Sequence, residues 1–125
     1  MDRKKILVID DEQTLCSLME DMLSDDFEVH TSMEGQGGID LARTHQPNLI
    51  LLDMVLPDMV GEQIAEALAQ DPATQNIPVL LMTAKLYEDD PMRKAKAQPN
   101  VKGVLNKPCN LPALLQKIEE LTGPS

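Results

Sequence analysis

The chain has 125 residues, the size of one domain with a single core, and 42% of them are hydrophobic. Its formal charge is −10, which argues against this domain itself holding nucleic acid or an anionic membrane surface, because both need Lys and Arg to replace counterions. One Phe, one Tyr and no Trp leave the core to Leu, Ile, Val, Met and Ala, and two cysteines without metal-ligand spacing give no disulfide framework. No apolar run approaches the ~20 residues of a membrane span. The run Ile6 to Ile9 behind Arg3-Lys4-Lys5 is too short for a signal peptide, so a soluble cytoplasmic protein is expected.

Short apolar runs alternate with helical periodicity along the chain. Ile6-Leu7-Val8-Ile9 reads as a buried strand, being short, continuous and branched. A helix follows, with Leu15, Leu18, Met19, Met22 and Leu23 on one face. Phe27 to Thr31 alternates like an edge strand. Residues 34 to 45 form a weaker helix, because Gly35, Gly37 and Gly38 disfavour its start. Asn48 to Asp53 is the next buried strand, and the helix after it runs from about Val60 to Gln70 with Val60, Ile64, Ala67 and Leu68 inward. Ile77 to Met82, entered through Pro78, is another buried strand. Between residues 85 and 100, Pro91 suits a first helical turn and Pro99 ends the helix. Val101 to Leu105 is the last strand. Leu111, Leu114, Leu115, Ile118 and Leu121 mark a final helix with Pro112 in its first turn. Five strands alternating with five helices imply an α/β fold with a parallel sheet covered on both faces. In such sheets the functional crevice lies at the carboxyl ends of the strands.

Polar groups stand at those ends. The first strand ends in Asp10-Asp11, followed by Glu12; the third ends in Asp53; the fourth in Thr83-Ala84; the fifth in Lys107-Pro108. Three carboxylates brought together repel one another and stay ionised only if a cation joins them. Oxygen ligands select Mg²⁺ or Mn²⁺. A lysine adds a second positive charge, and a threonine hydroxyl donates to an anionic oxygen. Such a set suits phosphoryl transfer with one carboxylate as nucleophile. No Gly-x-x-x-x-Gly-Lys loop cradles a nucleotide, which favours a phosphoprotein or small phosphodonor over ATP.

The segments Leu7-Val8-Ile9-Asp10-Asp11-Glu12, Leu51 to Gly61, Met82-Thr83-Ala84 and Asn106-Lys107-Pro108 together resemble the four blocks of the response-regulator receiver family. The resemblance implies a doubly wound, flavodoxin-like fold with five parallel strands in the order 2-1-3-4-5 and helices on both faces. It implies a receiver domain over 1–122, with 123–125 a tail or the start of a linker. Asp53 would be the phosphoacceptor. Asp11, Asp53 and the backbone carbonyl of Val55 would bind Mg²⁺ directly, with Asp10 holding it mainly through water. Thr83 would bond the phosphoryl group. Lys107 would pair with Asp53 and then with a phosphoryl oxygen, its direction fixed by a cis peptide to Pro108. Pro57 and Gly61 would shape the loop beyond Asp53. The donor would be a sensor histidine kinase or a histidine phosphotransfer protein, and the recipient a downstream protein or output domain. A homodimer is compatible with this reading. The chain would catalyse only its own phosphorylation and dephosphorylation.

Three departures from the family pattern stand out. Val104 occupies the place of the usual aromatic, and its stiff side chain has no ring to turn. Tyr87 is a candidate substitute reporter. Gln98-Pro99-Asn100 replaces the usual small-residue segment before the last strand. Val55 and Lys85 sit where the family tunes acyl-phosphate hydrolysis; Val55 cannot orient water, which predicts slow autodephosphorylation.

Taken singly, these features have plainer explanations. Asp-Asp after a strand is commonly a solvated turn, with Asp11 capping the next helix. A lone Lys-Pro is commonly a turn. His30 and His45 read as surface residues, Cys16 as a small helix residue, Cys109 as an inert thiol, and the eight methionines as core filler. The Glu88-Asp89-Asp90 run reads as a helix start. A pseudo-receiver that needs no phosphate is the alternative function. A phosphatase with an aspartyl nucleophile would need a second Asp two residues on, where Val55 stands.

Overall fold

The computed structural model describes residues 3–84, 89–107 and 110–123. The expectations for Lys85, Tyr87, Glu88, the peptide to Pro108, Cys109 and the last two residues lie outside them. Among the described residues the elements are β1 (Lys5–Ile9), α1 (Gln13–Leu23), β2 (Glu28–Ser32), α2 (Gly35–His45), β3 (Leu49–Asp53), α3 (Gly61–Gln70), β4 (Val79–Thr83), α4 (Asp90–Lys96), β5 (Val101–Asn106) and α5 (Leu111–Thr122). The strands form one parallel sheet in the order β2-β1-β3-β4-β5, as the resemblance implies.

Alternation along the strands divides the core into two layers. Leu7, Ile9, Ile50, Leu52, Val79 and Leu81 face α2, α3 and α4. Ile6, Val8, Leu49, Leu51, Leu80 and Met82 face α1 and α5. Both faces of β1, β3 and β4 are thereby buried, which explains their unbroken apolar runs.

Several boundaries move for identifiable reasons. β4 begins at Val79 because Pro78 has no N–H to give the ladder; its carbonyl instead accepts from Ile50 N at 3.0 Å. α4 stops at Lys96, since Pro99 disfavours a helical Gln98 before it. On α1, Leu18 is 49% exposed and Cys16 is buried in the layer. At α3, Val60 precedes the helix and is exposed, while Ala65 is fully buried. α2 starts at Gly35 despite its glycines. A Cβ on Gly38 would meet Ile9 Cδ1 at 2.5 Å, so the small residue lets the helix lie close to β1.

The N-terminus of α2 is capped from elsewhere in the chain. Glu34, at its N-cap, makes no side-chain cap bond. Asp58, from the loop between β3 and α3, accepts from Gly35 N at 2.7 Å and from Gln36 N at 3.0 Å. These bonds, that of Gln36 foremost, hold the Asp58 carboxyl below its ordinary range. A depressed carboxylate stabilises the fold above its unfolded value and loses that effect as pH falls through its folded one. Asp58→Ala is therefore expected to lower the melting temperature at neutral pH and to converge with wild type in acid. Melting curves against pH check this; a constant gap at all pH values contradicts it.

Candidate functional site

The carboxyl ends of β1, β3, β4 and β5 converge on one acidic cleft. Asp10 follows β1 and is fully buried. Asp11 beside it is exposed, and Asp53 closes β3 with its side chain 16% exposed. One carboxylate oxygen from each of Asp10, Asp11 and Asp53 lies within 4.8 Å of the others. Thr83, the last residue of β4, is buried and lies in the same cleft as Asp53. The Thr83 carbonyl accepts from Lys107 N at 2.7 Å, which ties the lysine's backbone to β4.

Lys107 reaches into the cluster. Its Nζ donates to Asp10 Oδ2 at 2.6 Å and to Asp53 Oδ1 at 3.3 Å, so the nearer partner is Asp10. Glu12 Oε1 lies 4.0 Å away. Burial works against the lysine's charge, but the hydrogen bond to Asp10 and the fields of Asp53 and Asp10 outweigh it and hold Lys107 above its ordinary range. Burial, then the Asp10 charge, push the Asp53 carboxyl up, against the pull of Lys107. Burial first, and Asp10 next, raise the Cys16 thiol to about 11, and its Sγ lies 3.3 Å from the Asp10 carbonyl. Cys16 is thus a packed thiol whose reactive thiolate form is disfavoured.

The three carboxylates and one ammonium leave two negative charges uncompensated within the cluster. An all-oxygen donor set with that excess fits a divalent hard cation. Asp10 already uses both oxygens, Oδ1 accepting from Glu12 N at 2.9 Å and Oδ2 from Lys107. Asp11 does not cap α1; Glu12 holds the N-cap position without a side-chain cap bond. The Asp11 carboxylate is instead exposed and stands within 4.8 Å of those of Asp10 and Asp53.

The backbone beyond Asp53 is set by a short antiparallel bridge between Val55 and Val60. Its bonds run from Gly61 N to the Met54 carbonyl at 2.6 Å and from Leu56 N to the Met59 carbonyl at 2.9 Å. The Val55 carbonyl takes no part in that bridge. Gly61 is required for the approach. A Cβ there would meet Met54 Cα at 2.9 Å and the Asp53 carbonyl at 3.1 Å, both backbone atoms. Gly61→Ala is expected to destabilise the fold by about 1–3 kcal/mol through overpacking. A denaturant midpoint equal to that of wild type would show that the loop yields freely.

A cavity of about 310 Å³ adjoins the cluster, with Asp53 and Thr83 at one end and Val55, Val60, Pro91 and Met92 as apolar walls. Val55 is 62% exposed at its rim. The parts played here by Val60 and Met92 were not legible in the sequence, because they depend on how α3 and α4 close on the strand ends. Asp89 caps α4, accepting from Met92 N at 3.0 Å.

The sequence matches the family model of the response regulator receiver domain over residues 6–119. It is 28% identical over 121 residues to the polar-differentiation response regulator DivK of Brucella anthropi, covering 96% of this chain and 97% of that protein. It is 33% identical over 116 residues to hybrid signal transduction histidine kinase D of Dictyostelium discoideum, covering 93% of this chain but only 7% of the kinase. Among solved structures, chemotaxis protein CheY4 of Vibrio cholerae superposes with a TM-score of 0.86 at 24% identity, over 95% of this chain and 98% of that one. The receiver domain of sensor histidine kinase PA1611 from Pseudomonas aeruginosa, with a magnesium ion coordinated in its active site cleft, also gives 0.86, at 21% identity over 98% and 99% of the two chains.

Proposed function

The chain belongs to the response regulator receiver domain family, whose members are signalling switches, and we propose that it works by accepting a phosphoryl group on Asp53. Relatives include a stand-alone regulator and a hybrid kinase. The observation that carries the proposal is the Asp10–Asp11–Asp53 cluster with Lys107 Nζ inside it. In this reading a donor phosphohistidine, on a sensor kinase or phosphotransfer protein, enters the cleft. A carboxylate oxygen of Asp53 bonds to phosphorus as the donor's P–N bond breaks, and the imidazole nitrogen leaves with the electron pair.

Asp11, Asp53 and the Val55 carbonyl would hold Mg²⁺, with Asp10 behind them. The ion would neutralise the phosphoryl oxygens. Asp10 suits the indirect role because both its oxygens already have protein partners. Lys107 balances Asp53 before transfer and can pair with a phosphoryl oxygen afterwards. Thr83 donates its hydroxyl to another. Val104 is half-buried against the layer under α4, so no ring rotation at that position relays the event.

The test is incubation of the chain with Mg²⁺ and acetyl phosphate or phosphoramidate, followed by intact mass. One added phosphoryl group supports the reading. No addition under several donors supports a phosphate-independent interaction module instead. The acyl phosphate is expected to be long-lived, because the apolar Val55 beside Asp53 offers nothing to align water. Val55→Asn is expected to shorten its lifetime severalfold. The decay of the phosphorylated mass over time decides this, and equal decay in the two proteins would exclude Val55 as the cause.

A further inference from the structure

The chain's two histidines come together at the end of the sheet away from the acidic cluster. His30 lies on the edge strand β2, and His45 is the last residue of α2. α2 ends there because Gln46 takes the left-handed conformation, with φ at 51°. The rings stack with centroids 4.1 Å apart and 19° between their planes. Glu28, two residues before His30, shares its face of β2 by alternation. Its Oε2 lies 2.7 Å from His30 Nε2. Strand register pairs Glu28 with Lys5, the first residue of β1, so this group sits about 10 Å or more along the strands from Asp10.

We propose that Glu28, His30 and His45 form a second metal site, selective for a borderline-soft divalent ion such as Zn²⁺. One ligand atom from each lies within 4.8 Å of the other two. Two imidazoles and one carboxylate suit zinc and its neighbours, whereas Mg²⁺ prefers oxygen ligands alone. Tetrahedral bonds of about 2.1 Å hold donor atoms roughly 3.4 Å apart. The Glu28–His30 pair at 2.7 Å must therefore open slightly to admit an ion, and His45, within 4.8 Å of both, need close by no more than about 1 Å. Glu28 is exposed and both histidines are half-exposed, which leaves their side chains room to do so. The ion would take the place of the hydrogen between Glu28 and His30, and both rings would bind as neutral imidazoles. Water would complete the coordination on the solvent side. Lys5 donates from Nζ to the His45 carbonyl at 3.1 Å, and its charge opposes a cation nearby, which limits affinity. A bound ion would join the free edge of the sheet to the end of α2.

The test is calorimetric titration of Zn²⁺ into the full chain with Mg²⁺ in large excess, which keeps the acidic cluster filled. One equivalent is expected to bind. His30→Gln and His45→Gln should each weaken binding by at least about tenfold, and Asp11→Asn should leave it unchanged. Zn²⁺ should raise the melting temperature of wild type and not of His45→Gln. In wild type, the ring proton resonances of both histidines should shift on titration, a readout that needs no variant. The proposal is overturned by absence of binding under excess Mg²⁺, or by unshifted histidine resonances. Folded histidine variants that bind like wild type also overturn it, as does one ion per two chains, which would put the site between copies.

Discussion

Asp53→Asn is expected to gain no phosphoryl group from acetyl phosphate and Mg²⁺, and to be more stable than wild type when Mg²⁺ is removed. The first result follows from the loss of the proposed nucleophile, since an amide oxygen does not attack phosphorus under these conditions. The second follows from the crowding of Asp10, Asp11 and Asp53 around a single ammonium. Asp53 is held above its ordinary range by burial and by Asp10, so its charged form is disfavoured in the folded state. By linkage, stability falls as pH rises from the unfolded value through the raised folded one, and the penalty persists at neutral pH. The amide removes that penalty, and it also removes a ligand, so added Mg²⁺ should stabilise the variant less than wild type. Intact mass and Mg²⁺-dependent melting check the two halves separately. Phosphorylation of the variant would place the acceptor elsewhere. A variant less stable than wild type without Mg²⁺ would mean that Lys107 already neutralises the cluster.

Lys107→Met is expected to destabilise the metal-free protein by about 3 kcal/mol, because it leaves a fully buried Asp10 without its counter-charge. Asp10 keeps only the Glu12 amide, at 2.9 Å, and must take up a proton or hold an unpaired charge. Adding Asp10→Asn to the same chain should recover much of the loss. A double-mutant cycle in urea measures this coupling. Additive effects of the two substitutions would show that the 2.6 Å contact contributes little net energy. Under the proposed function, phosphorylation should also slow in Lys107→Met, as the cation beside Asp53 is lost.

Much of the fold was legible because both faces of β1, β3 and β4 are buried, which makes continuous apolar runs that stand out against helical periodicity. The acidic cleft was legible for a related reason. In a parallel sheet every strand end reaches one edge, so polar residues that follow strands in sequence meet in space. The preference of Lys107 for Asp10 over Asp53 could not be read in this way, since it depends on about an ångström of side-chain placement. Leu18 fitted the helical period of α1 yet lies outside, and Cys16 inside, because periodicity locates a face less finely than one residue. The pairing of His30 with His45 left no trace in spacing. Strand parity aligns Glu28 with His30, but only the packing of α2 on β1 and β2 delivers His45.

The Asp58 contact has a dynamic consequence. Asp58 belongs to the loop that leaves Asp53, yet its carboxylate satisfies the first two amides of α2. Displacing that loop must either drag the helix along or strip those amides of their acceptor. The loop and the opening turn of α2 are therefore expected to open as one cooperative unit, and hydrogen exchange at Gly35 and Gln36 should report on displacement of the loop that follows β3. In a chain with valine at position 104, displacement of the loop after Asp53 is expected to register at those two amides without any aromatic ring.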